Sequence, residues 1–175
     1  MTDEELKNLV ASLAVKSASL DAQMQRTDAK LEKIGMMLGN MGRNQGDVAE
    51  EFFFNSLVDD IHLGEIHFDD ISRNELKHRG KIQEEYDLLL TNDNAVGIIE
   101  VKYKAHENDL SKLERKLHNF KKLYPRYNDC KVYGALAAFH IHDDLKQTAL
   151  ERGFFVLQRR GNVIHTDCAQ QLMVL

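Results

Sequence analysis

The stretch 85-EYDLLLTNDNAVGIIEVKYK-104 decides how this chain folds. Two apolar runs flank a polar turn and read as the strands of a hairpin, in which successive side chains point to opposite faces. If Asp93 and Asn94 form a two-residue turn, Asp87 stands directly opposite Glu100. Opposite residues of an antiparallel pair share a face, with Cβ atoms about 5 Å apart. A slip of one residue would send them to opposite faces. Glu100 and Lys102 share that face, and so do Glu85 and Leu89 with Asp87. The apolar flanks predict a buried, central hairpin, where an unpaired charge is costly.

Two facing carboxylates repel unless a cation stands between them. Lys102 offsets one charge, not two. A hard divalent cation would satisfy both, and Mg²⁺ (or Mn²⁺) suits a site of one or two carboxylates whose other ligands are waters and phosphate oxygens. The competing reading is a salt bridge at an exposed sheet edge, where Glu and Lys discourage edge pairing.

Outward from the hairpin, residues 47–60 predict a helix capped by Asp47, with Phe53, Phe54, Leu57 and Ile61 on its apolar face. Strands are expected at 65–68 and 75–79. A helix over 107–123 stops before Pro125, and 131–141 is a strongly apolar strand. A short helix in 143–153 is closed by Gly153, and a last hairpin turns at Gly161 and Asn162. This alternation predicts an α/β (α+β) domain, a mixed sheet with helices on both sides.

The first forty residues differ. Leu6, Leu13, Leu20, Thr27, Ile34 and Met41 recur every seven residues, and Val10, Ser17, Met24, Leu31 and Leu38 form a second seam offset from the first. Such a heptad stripe predicts a coiled coil, with Lys16 and Asp21 placed to pair across a parallel partner. Folding of the helix back onto its own domain is the alternative. Residues 1–42 are therefore expected to form an oligomerising helix, a parallel dimer through residues 6–41, and 43–175 the second domain. The glycines of 39-GNMGRNQGD-47 predict a hinge between them.

Bulk properties narrow the function classes. A chain of 175 residues with 43% hydrophobic content can build a core. Its apolar runs are too short to span a bilayer, and two isolated cysteines form no disulfide framework, as expected of a cytoplasmic protein. The net charge of -5 argues against bulk attraction to nucleic acid or anionic membrane. Residues 101–126 run the other way, with Lys102, Lys104, Lys112, Arg115, Lys116, Lys121, Lys122 and Arg126 against Glu107, Asp109 and Glu114.

The spacing D-x(12)-E-V-K of Asp87, Glu100 and Lys102, after an apolar strand, resembles the core motif of the PD-(D/E)XK nuclease superfamily. The segment 46-GDVAEEFFFNSL-57 is similar to the first core helix of its Holliday-junction-resolvase-like members, with an acid four residues after a glycine. The resemblance covers about residues 46–140, and Tyr86 stands where the name-giving proline would be. It implies a restriction-endonuclease-like fold and Mg²⁺-dependent hydrolysis of DNA phosphodiesters. Asp87 and Glu100 would hold the metal, Lys102 would act on the water or the phosphate, and Glu50 would assist the metal or orient a ligand water, with Glu51 left open as its alternative.

In the helix 107–123, Leu110, Leu113, Leu117, Phe120 and Tyr124 line one face, which would put Lys112, Arg115 and Lys116 on the other. With Lys104 they are candidates to contact DNA phosphates, against the plain reading of a solvated face. His140 and His142 share a strand face, but no third ligand is evident for a transition metal. Asp143 and Asp144 read as caps of the next helix. The alternative to an enzyme is a catalytically inactive nuclease-fold module that binds nucleic acid or protein.

Overall fold

The computed structural model describes residues 2–175, and these divide into two compact units, the first ending at Asn44 and the second spanning Gln45–Leu175. Helix α1 is assigned to Asp3–Leu57, so the residues expected to form a hinge are helical. Glycine in a helix costs up to about 1 kcal/mol against alanine. Gly39, Gly42 and Gly46 are separated by helix-tolerant residues with no proline among them, so the backbone bonds continue.

In the first unit the heptad residues are exposed. Leu6, Val10, Leu13, Leu20, Met24, Leu31, Ile34, Leu38 and Met41 each keep between 45% and 66% of their surface. No described helix is long and apolar enough to cross a membrane.

In the second unit, β1 (His62–Leu63) and β2 (Ile66–His67) form a small ribbon, and β2 is shorter than the strand expected at 65–68. β3 (Asp70–Arg79) is twice the length of the strand expected at 75–79, because it pairs along β4 (Ile82–Thr91) and borrows that strand's order. β5 (Ala95–Lys104), α2 (Glu107–Leu123), β6 (Lys131–His140), α3 (Asp143–Glu151), β7 (Phe155–Arg160) and β8 (Val163–Asp167) complete the unit. The six strands lie in chain order, β3-β4-β5-β6-β7-β8. β5, β6 and β7 are parallel, and the outer pairings are antiparallel. The expected mixed sheet with helices on both sides is observed. β5 and β6 are buried on both faces, which is why they read as near-continuous apolar runs.

One core joins α2 and α3 to the sheet through Leu110, Leu113, Leu117, Phe120, Leu145 and Ala149. The other takes Ala49, Phe53 and Leu57 of α1. Gly134 permits the first: a Cβ there would stand 2.7 Å from Leu117 Cδ1 and 2.9 Å from Phe154 Cδ1. α3 opens on His142 as N-cap, with no side-chain bond. Asp143 and Asp144 occupy its first turn rather than the cap, where their charge suits the helix dipole.

Candidate functional site

The hairpin register follows from its turn. Asn92 Oδ1 accepts hydrogen bonds from the Asn94 and Ala95 N–H groups at 2.8 and 2.7 Å, an Asx turn that fixes where the strands begin to pair. The register then runs Thr91 with Val96, Leu90 with Gly97, Leu89 with Ile98 and Leu88 with Ile99. The next opposed residues are Asp87 and Glu100, but the paired register ends before them. Here the Val101 N–H donates to Asp87 Oδ2 at 2.8 Å, so a carboxylate takes a bond that a continuing ladder would have used.

The strand also changes face at Asp87. Leu88 and Leu90 pack in the α1-side core and Leu89 in the α2-side core, yet Tyr86 is in the α2-side core too. On β3, the facing residue Asn74 drops out of the register and holds φ 55°, a left-handed conformation that asparagine tolerates better than most residues. This local irregularity re-aims side chains as a bulge does. It also corrects the expectation that Glu85 would accompany Asp87. Glu84 is the buried acid, while Glu85 is exposed.

Asp87 and Glu100 converge as their spacing predicted, and each presents one oxygen to each of two lysines. Lys102 Nζ lies 2.7 Å from Glu100 Oε1 and 3.3 Å from Asp87 Oδ2, and donates to the Val101 carbonyl at 2.8 Å. Lys116 Nζ bonds to Glu100 Oε2 and lies 3.3 Å from Asp87 Oδ1. The four charges sum to zero. Asp87, Glu100 and Lys116 are buried, and Lys102 keeps 27% of its side chain exposed. Burial works to lower the Lys102 pKa, but the Asp87 and Glu100 carboxylates together hold it above the ordinary lysine value.

Lys116 departs from expectation. The expected place is the outer side of α2, with Lys112 and Arg115, but Lys116 is buried beneath the helix. It lies three residues after Leu113 and four before Phe120, on the flank of the apolar stripe, where the spacing leaves either orientation open. Tyr86 donates its hydroxyl to the Lys116 carbonyl at 3.3 Å and packs edge-on against Phe120. It thereby pins the helix turn that carries Lys116.

Glu50, Glu84, Asp87, Glu100, Lys102, Lys112, Arg115 and Lys116 are among the residues that line a cleft of ≈ 460 Å³. Glu50 is half-buried and lines this cleft, whereas Glu51 is exposed. Burial, and then the nearby Asp87 charge, raise the Glu50 carboxyl pKa, and Lys102 opposes them. Arg115 is engaged by Glu84 through two hydrogen bonds, at 2.8 and 2.9 Å, and Asn119 adds a third to the same carboxylate. Lys112 pairs with Asp109 at 3.2 Å. Lys104 lies apart from this cleft and lines another, with Phe139, His140 and His142.

Among the described residues, no group of three or more His, Cys, Asp or Glu side chains is arranged to hold a metal ion. Asp87 and Glu100 offer two carboxylates, as many as Mg²⁺ commonly takes. The ammonium of Lys116 occupies the position between them.

No protein-family model and no curated protein matches the chain. Among solved structures, one described as the crystal structure of a repair endonuclease from Pyrococcus abyssi is similar at 21% sequence identity and a TM-score of 0.45. The similarity covers 63% of this chain and 46% of that one, so this chain spans less than half of the other's length.

Proposed function

We propose that this protein is a metal-dependent phosphodiesterase acting on DNA, with its centre at Asp87, Glu100 and Lys102. One observation carries the reading: two carboxylates meet around a cation where β4 and β5 part, beside an open cleft. Asp87 and Glu100 would hold Mg²⁺ or Mn²⁺, which would supply Lewis-acid polarisation of the phosphoryl oxygen. Lys102, kept protonated by its two acids, donates hydrogen bonds and orients the attacking water or the phosphate; it is not the base. Glu50, half-buried in the same cleft, would assist the metal or orient a ligand water. Lys112 and Arg115 line the same cleft and would position the backbone phosphates. The heptad seam of residues 6–41 would join two copies in parallel and so set two such centres against a duplex or a junction.

A second reading has its own support. With two lysines against two acids, the cluster is already neutral, as in a domain that keeps the fold and binds without cutting. Plasmid nicking with Mg²⁺ or Mn²⁺ separates the two. The first reading expects cleavage by the wild type and a loss of at least about a hundredfold in Asp87→Ala and Lys102→Ala. Equal cleavage by all three rejects the assigned centre, and DNA retention without cleavage by the wild type favours the binding module.

A further inference from the structure

The proposed metal pair already has a cation of its own. Lys116 comes from α2, whereas the other three members of the cluster come from the hairpin. It takes Asp87 Oδ1 and Glu100 Oε2, the oxygens that Lys102 leaves. A divalent ion using those oxygens could not share them with an ammonium a few ångströms away, since both are positive and the environment is poor in water. The Lys116 backbone is fixed by the Tyr86 hydroxyl and by the helix, so any exit is by rotation of the side chain alone. Lys116 also lines the cleft, beside Lys112 and Arg115.

We propose that Lys116 is a displaceable internal cation that occupies the Asp87–Glu100 site and turns out into the cleft when a divalent ion enters. The inference rests on the reading of these carboxylates as the metal pair. A plain neutralising lysine would stay in place; a displaceable one competes with the metal. Once outside, its ammonium needs an anionic partner, and a phosphodiester in the cleft is one. Metal and nucleic acid would then favour each other's binding, because each relieves a cost of the other.

The test is Mn²⁺ uptake by the full chain, read from the resonance of free Mn²⁺ in electron paramagnetic spectra. Lys116→Met should bind about tenfold or more tightly than the wild type, because a competing unit charge is gone. Adding Glu100→Gln to that variant should abolish the gain. Equal or weaker binding by Lys116→Met, beside measurable binding by the wild type, overturns the displacement and leaves the metal reading standing. No uptake by any of the proteins overturns both. A wild-type measurement does not depend on how the variant folds. The ammonium of Lys116, shielded from water, should give a slowly exchanging ¹H–¹⁵N signal, identified by its absence in Lys116→Gln, that vanishes when Mg²⁺ saturates the site. Persistence of that signal at saturation overturns the proposal.

Discussion

Replacing Lys116 by methionine tests the charge cluster on stability alone, without metal or substrate. The side chain keeps 8% of its surface exposed, and its partner Glu100 keeps 3%. Methionine preserves most of the apolar stem and removes the ammonium, leaving two buried acids against Lys102. Breaking a buried pair by deleting one partner costs about 3–5 kcal/mol, chiefly because the remaining charge is left uncompensated. For a chain of this size that is a fall in Tm of roughly 10–15 °C. The chain has no tryptophan, and its five tyrosines all lie beyond residue 85, so tyrosine fluorescence during urea unfolding reports on the second unit only. The double variant Lys116→Met/Glu100→Gln restores a matched pair, Asp87 with Lys102, and should be less destabilised than the sum of the two single variants by about 1–3 kcal/mol. A loss below about 1 kcal/mol in Lys116→Met, or additivity within about 0.5 kcal/mol, would refute the cluster as a coupled unit.

Three further outcomes are expected. The raised Glu50 pKa means that its ionised form is disfavoured in the folded state, so its stabilising share is present below the unfolded value of 4.5 and is lost as pH rises through the folded one. Glu50→Gln should therefore melt higher than the wild type at pH 8 and level with it at pH 4; a lower melting point at pH 8 would contradict this. For Glu84, burial pushes the carboxyl up, but the Arg115 and Asn119 hydrogen bonds together pull it below 4.5, so its stabilisation is present above 4.5 and fades as pH falls through the folded value. Glu84→Gln should cost about 1–2 kcal/mol at pH 7, with Arg115 half in solvent, and the gap from the wild type should close in urea titrations under acid. Leu13→Glu with Leu20→Glu puts like charges into the heptad seam and should shift sedimentation from dimer to monomer while leaving the tyrosine signal of the second unit unchanged.

The hairpin was legible because its determinants are local. A polar turn between two apolar runs sets the register, and the register alone opposes Asp87 to Glu100. The helix 107–123 was legible from its stripe and from Pro125 beyond its end. The extent of β3 was not, since its exposed, polar sequence is ordered by pairing with β4. Helicity across 39–46 was also missed, because glycine weakens a helix without forbidding it.

The sequence by itself determined the order of elements, the two-faced burial of β5 and β6, and the meeting of two acids with the lysine of the same hairpin. These rest on periods of 2 and 3.6 residues and on one turn, all within about twenty residues of chain. Only the tertiary structure decided that Lys116 completes the cluster, that Glu84 rather than Glu85 is the buried acid, and that Glu50 shares their cleft. Lys116 is 29 residues from Asp87. Its partnership depends on how α2 lies across the sheet and on a face change at Asp87, and neither is a property of any local pattern. Packing against distant neighbours decides whether a lysine in an apolar stripe turns outward to water or inward to carboxylates.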